Sequence, residues 1–298
     1  MRVANAPCSW GVLEFEDGAA PAPFPRVLDE IRETGYAGTE LGDWGFLPTE
    51  PERLRAELAG RGLALAGAFV PVALAERSAH APGIDTAVRT ARLMRDAGFP
   101  GAFIVLSDDN GRSAVRERHA GRIRPAHGLT GTGLRTFAAG AEAVARAVRD
   151  ETGIATVFHA HCGGYVETAG EIGELMARTE PALLGLCFDT GHVMYGGADP
   201  VTLLERHADR VRHVHFKDCD TRVAAAARAE GIGYLDAVRR RLFSELGTGG
   251  VDFAAMTAAL ARHGYDGWIV VEQDVFPGQG TPRESARRNR EVLRTLGL

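Results

Sequence analysis

With 298 residues, 45% of them hydrophobic and 24% charged, the chain can bury a large core and lies far from disordered or collagen-like compositions. A formal net charge of -5, with both signs mixed along the chain, gives no basic stripe for a phosphate backbone, so nucleic acid is not an expected partner. The four cysteines form no CxxC pair and no apolar run nears the roughly 20 residues that span a bilayer, so free thiols, no membrane partner and a cytoplasmic location are expected.

Short apolar runs alternate with longer Ala/Leu/Arg/Glu-rich segments, the signature of repeated βα units around a parallel sheet. A strand at Val3–Ser9 is followed by a helix at Phe24–Glu33, whose Val27, Leu28 and Ile31 share a face. The strand Tyr36–Leu41 leads to a helix at Pro51–Ala59, with proline at its first position. Strands at Leu63–Pro71 and Gly101–Ser107 bracket a helix at Ile84–Ala97 that stops at Gly98. The polar segment Asp108–Gly133 is too long for a simple βα loop and is expected to cross the mouth of the sheet.

After a helix at Leu134–Glu151 come strands at Ala155–His161 and Leu183–Asp189, a helix at Pro200–His207 behind the N-cap Asp199, and a strand at Val211–Lys217. Asp220–Gly250 forms a second excursion, read as one lid helix over Ala224–Phe243 and a turn at Gly247-Thr248-Gly249-Gly250. A helix at Val251–His263, a strand at Gly267–Glu272 and a helix at Pro282–Leu296 close the chain. Eight strands close a (β/α)8 TIM barrel, so the expectation is one α/β domain over residues 1–298 with lid-like insertions at its C-terminal face.

Four of these strands end in chemistry. Side chains two apart on a strand point the same way, so His159 and His161, His213 and His215, and Glu272 and Asp274 pair off at the end where barrel active sites form. Asp189, His215, Glu272 and one of His159 or His161 are read as converging on one divalent ion, a nitrogen and oxygen set suited to Mn, Co, Fe or Zn. His192, three residues past Asp189, is read as an acid/base at the substrate, and Lys217 as an ammonium on a substrate oxygen. Glu40 and Trp44 are candidates for a hydroxyl and an apolar ring face, and Asn5 and Trp10 for further substrate contacts. His161, Glu167 and His213 complete the candidate binding residues. No GxGxxG follows a strand, and no P-loop or GxSxG elbow occurs.

The segments Asn5-Ala6-Pro7-Cys8-Ser9-Trp10-Gly11, Gly38-Thr39-Glu40-Leu41-Gly42, His159-Ala160-His161 with Tyr165-Val166-Glu167-Thr168, Phe188-Asp189-Thr190-Gly191-His192, His213-Val214-His215-Phe216-Lys217-Asp218 and Gly267–Asp274 together carry a resemblance. The chain resembles the sugar isomerase/epimerase superfamily of xylose-isomerase-like barrels and, within it, the inosose dehydratases. The resemblance implies metal ligands at Asp189, His215 and Glu272. At the fifth strand it offers His159 where the broader superfamily has glutamate, with Glu167 the nearest substitute carboxylate.

What the resemblance implies is a lyase of inositol catabolism that dehydrates a cyclic polyhydroxy ketone such as 2-keto-myo-inositol through a metal-stabilised enolate. His192, Lys217 and Glu272 would be its catalytic residues and Mn or Co its ion, with Zn, Fe or Mg as alternatives. A small polyol or keto-sugar is the implied partner, and a homo-oligomer is compatible with barrels of this type. The alternative is a sugar isomerase or epimerase on the same metal site. β-Elimination from a keto-glycoside and a non-catalytic sugar-binding barrel are further readings. A repair endonuclease would need a basic groove that the net charge does not supply.

Overall fold

The computed structural model describes residues 1–12, 22–274 and 280–298. In chain order its strands are β1 (Arg2–Asn5), β2 (Gly38–Glu40), β3 (Ala64–Val72), β4 (Phe103–Asp108), β5 (Ala155–His159), β6 (Leu184–Asp189), β7 (Val211–Phe216), the two-residue strands β8 (Asp218–Cys219) and β9 (Phe243–Ser244), and β10 (Trp268–Val271). The eight longer ones close a parallel barrel in the order β1-β10-β7-β6-β5-β4-β3-β2, while β8 and β9 pair antiparallel beside it. Each of the eight strands read from the sequence is present. Five of them, β1, β2, β5, β7 and β10, stop earlier than read, as β1 does at Asn5 and β5 at His159.

The helices are α1 (Phe24–Glu33), α2 (Pro51–Ala59), α3 (His80–Asp96), α4 (Ala114–His119), α5 (Gly131–Thr152), α6 (Ala169–Arg178), α7 (Thr190–Tyr195), α8 (Pro200–His207), α9 (Thr221–Glu230), α10 (Tyr234–Arg239), α11 (Phe253–Arg262) and α12 (Pro282–Thr295). They lay apolar stripes on the outer faces of the strands. Val27, Leu28 and Ile31 of α1 are fully buried, each contributing about 1.5–3 kcal/mol over exposure. Among the described residues no helix is long and apolar enough to cross a membrane.

Two departures from the sequence reading have local causes. α6 was not expected, although Thr168 and Glu171 form a reciprocal capping box and Ile172, Leu175 and Met176 are its buried residues. The single lid helix expected over Ala224–Phe243 is instead α9 and α10, because Gly231 takes a left-handed conformation (φ 71°) that ends α9.

Inside the barrel the side chains stack in layers. Ala4 and Ala66 pack around Trp268 and Val270 on the floor, and Ala6 of the same cluster reaches the C-terminal end of the barrel. A Cβ at position 38 would stand 2.9 Å from the Trp268 ring, so glycine is required there. Above lie Val105, Val157 and Cys187 with Phe69 and Phe103. The layer over these, at the C-terminal strand ends, is polar.

Candidate active site and metal centre

His159 at the end of β5, Asp189 at the end of β6, His215 in β7 and Glu272 just past β10 are all buried, and each offers one ligand atom within 4.8 Å of the others. The inward set of each strand brings them together. His159 Nε2 lies 3.4 Å from Asp189 Oδ2, and His215 Nδ1 lies 3.3 Å from Glu272 Oε1 and 3.8 Å from Asp189 Oδ2. The other nitrogen of His215, Nε2, is 3.1 Å from Glu40 Oε1, which also receives His213 Nε2 at 2.6 Å. Burial works against Glu40 ionising, yet the two imidazoles beside it hold its carboxyl down at about 2. Glu40 is thus an anion that orients His215 from behind, as carboxylates do behind ligating histidines.

This donor set fits a divalent cation. Burial opposes charge on His215, but Cys187, Glu272 and Glu40 around it still push its proton affinity well above that of an ordinary imidazole. Its Nδ1, aimed between two carboxylates, makes no hydrogen bond among the described residues. A buried group driven to become a cation between carboxylates marks a place where an ion can supply the charge and leave the imidazole a neutral ligand.

Lys217, one residue past β7, sends its Nζ to the edge of the cluster. It stands 3.0 Å from Glu272 Oε2, 3.3 Å from each Asp274 oxygen and 3.9 Å from Asp189 Oδ2, and lies 4.8 Å over the Phe243 ring. Burial disfavours its charge, but Asp274, Glu272 and Asp189 outweigh that and hold it a firm ammonium. Burial likewise opposes ionisation of Glu272, and His215 and Lys217 reverse it, keeping that carboxyl well below the ordinary range. Gly191 serves this arrangement by being small. Its backbone is helical, and a Cβ there would meet Lys217 Cγ at 2.7 Å, so it makes room for the lysine stem.

Facing one cavity are Glu40, His159, His161, Lys217, Glu272 and Asp274, with Ala6, Val12 and Phe69 as apolar wall. His192 is not among its lining residues. It lies in the first turn of the short helix α7, donates its backbone N–H to Asp189 Oδ1 at 2.8 Å and packs against His161 with ring centroids 3.9 Å apart and the planes tilted by 42°. Its Nδ1 faces the Cys162 N–H at 3.2 Å and its Nε2 faces Lys217 Nζ at 3.2 Å. Burial, then the nearby His161 and Lys217 charges, keep it neutral. A neutral imidazole has one N–H, so only one of those two donors can be accepted at a time.

His161 does reach the cavity. Its Nδ1 lies 2.8 Å from the Cys162 carbonyl, which can only accept, and 2.6 Å from the Asn110 side-chain amide; with the Asn110 oxygen turned to it, Nδ1 carries the hydrogen and Nε2 keeps its lone pair. Tyr234 Oη is 3.4 Å from that Nε2. Burial, with the His159 and Lys217 charges, pushes the His161 proton affinity well down.

The remaining candidates lie elsewhere. Val3 belongs to the cluster under the helices while Ala4 and Ala6 fill the barrel, so Asn5, fully buried, faces outward toward Tyr36. Trp10 is a packed indole donating to Glu30 Oε2 at 2.7 Å. Trp44 is 39% exposed under the Arg89 guanidinium and does not line the cavity. His213 is one layer too deep and serves Glu40. Glu167 is absent from the ligand cluster and accepts the Gly121 and Gly163 N–H groups at 2.7 and 2.9 Å, joining two loops. The Gly247–Gly250 turn wraps the Asp218 carboxylate, which accepts four backbone N–H groups from Cys219, Gly247, Gly249 and Val251 at 2.8–3.0 Å.

Sequence reasoning did not single out Tyr234, Phe243 or Phe69 as site residues, and it placed Asp274 at the active-site end without giving it a role. Asp274 carried a signal, the two-residue spacing after Glu272. Tyr234 and Phe243 come from the lid excursion, whose fold over the mouth no local pattern reveals.

Comparison with known proteins gives a consistent picture. The profile of the xylose isomerase-like TIM barrel family matches residues 28–296. An inosose dehydratase of Geobacillus kaustophilus (strain HTA426) is 34% identical, the match covering 99% of this chain and 94% of that protein. The rhizopine catabolism protein MocC of Rhizobium meliloti is 36% identical over 98% of this chain and 87% of its own. Among solved structures, L-ribulose 3-epimerase superposes with a TM-score of 0.71 at 19% identity, covering 99% of this chain and 94% of that one, a likeness of fold.

Proposed function

The chain belongs to the xylose isomerase-like TIM barrel family, and within it we propose a metal-dependent dehydratase of cyclic polyhydroxy ketones such as 2-keto-myo-inositol. The observation that carries the reading is one cavity lined by a buried ammonium, a neutral imidazole, and His159 and Glu272 of the four-residue ligand cluster. Inosose dehydratases at 30–34% identity over nearly the whole chain support the choice of substrate class.

His159, Asp189, His215 and Glu272 would hold the ion, with manganese or cobalt our first choice. Bound there, it would supply Lewis acidity toward a ketone oxygen. The protein's own groups then divide the elimination. His161 Nε2, with its lone pair toward the cavity, takes the proton from the carbon next to the ketone. The electron pair of that C–H bond forms the new carbon–carbon double bond as the β-carbon–oxygen bond breaks. Lys217 donates a proton to the departing hydroxyl, which leaves as water. Phe69, Ala6 and Val12 cover an apolar ring face. His192 acts here on Lys217, holding Nζ against Glu272 and Asp274, a positioning role in place of the direct proton transfer expected from the sequence.

The test is turnover of 2-keto-myo-inositol by the manganese-loaded protein, read by product mass and ultraviolet absorbance. The expected product has lost one water and absorbs as an enone or dione. A product of unchanged mass and altered stereochemistry would instead establish an epimerase. Lys217→Ala should lower kcat by about 10²–10⁴-fold.

A further inference from the structure

Beneath the ligand cluster lies a second group that the dehydration does not use. Cys187 of β6 and His213 and His215 of β7 are all buried, and each presents a ligand atom within 4.8 Å of the other two. The cause is register: Cys187 pairs with His213 across β6 and β7, and Asp189 with His215 one layer up, so four ligating side chains stand in two rows. His213 Nε2 is taken by Glu40, while its Nδ1 is fully buried with no hydrogen-bond partner among the described residues. Cys187 is a free thiol.

We propose that Cys187, His213 and His215 form a second metal site, selective for thiophilic ions such as zinc and cadmium, which competes with the catalytic ion for His215. The donor sets explain the selectivity. Two carboxylates and two imidazoles above suit harder ions such as manganese; a thiolate and two imidazoles below suit softer ones. On a tetrahedral zinc ion, sulfur and nitrogen ligands at about 2.3 and 2.0 Å stand roughly 3.5 Å apart, so a group already within 4.8 Å needs to contract by little more than 1 Å. Glu40, bonded to both imidazoles, is the nearest anion to balance the charge. Because His215 belongs to both groups, a soft ion in the lower one withdraws a ligand from Asp189 and Glu272. The consequence is inhibition by thiophilic metals that excess manganese relieves.

Cadmium titration of the full-length, metal-stripped protein, followed by its thiolate-to-cadmium charge-transfer absorbance, tests this without reference to turnover. The expected result is one band-forming ion per chain in wild type and in Cys8→Ser, Cys162→Ser and Cys219→Ser, and loss of the band in Cys187→Ser. Manganese should shift the cadmium midpoint upward at least tenfold. A band retained in Cys187→Ser, or no band in wild type, overturns the site. Anomalous scattering from cadmium-loaded wild-type crystals locates the ion without a variant: a peak among Cys187, His213 and His215 supports the proposal, and cadmium only among His159, Asp189, His215 and Glu272 contradicts it.

Discussion

Two carboxylates stand close together at the mouth of this barrel in opposite states of completion. Asp218 accepts four backbone N–H groups, from Cys219 and the 247–251 loop that folds around it, and a Cβ at Gly249 would press within 2.4 Å of its oxygen. Asp189, at the end of the neighbouring strand β6, accepts a backbone N–H on one oxygen only, and turns the other toward His159, His215 and Lys217. Both are buried acids at strand ends. Burial alone therefore does not mark a functional acid. What separates them is the partner: fixed backbone dipoles finish one as structure, while titratable groups around the other leave room for an ion.

Glu167 stands between these extremes with two backbone donors, too few to offset its desolvation, so burial lifts its carboxyl to about 7. Removing the fixed partners should have the largest effect. Asp218→Ala strands four N–H groups and should cost at least about 4 kcal/mol in chemical denaturation. A loss below about 1 kcal/mol would break the contrast.

The next effect is a pH dependence. A folded pKa raised above the unfolded value means that Glu167 contributes stability below about pH 4.5 and loses it as pH rises through about 7, on the order of 3 kcal/mol in total. Glu167→Gln should flatten that part of the stability–pH profile, and an unchanged slope would assign it to another group. The smallest effect sharpens the comparison from the metal side. Glu40→Gln keeps the ligands but weakens the anion behind His215, and should lower manganese affinity by about 10–100-fold.

Much of the fold was legible because eight apolar runs with glycine-stopped helices leave few alternatives to a closed barrel. The gathering of His159, Asp189, His215 and Glu272 was legible for the same reason: a period of two puts them on inner faces where the barrel closes. Contacts between distant strands were not. Nothing local says that Glu40 meets His213 across 173 residues, or that Lys217 fills the space Gly191 leaves. Nor does spacing tell His161 from His192. The first faces the cavity and the second is sealed behind it, because α7 starts at once after Asp189 and carries His192 into the wall. The outward turn of Asn5 follows from β1 alternating with Ala4 and Ala6 inward, a phase the sequence left open.

The central claim is that Asp189 belongs to an ion site and Asp218 does not. Calorimetric titration of manganese into the metal-stripped wild type, Asp189→Asn and Asp218→Asn tests it most directly. One ion per chain is expected in wild type and in folded Asp218→Asn, and no binding in Asp189→Asn, whose asparagine keeps the acceptor for the His192 N–H. Undiminished binding in Asp189→Asn would contradict it.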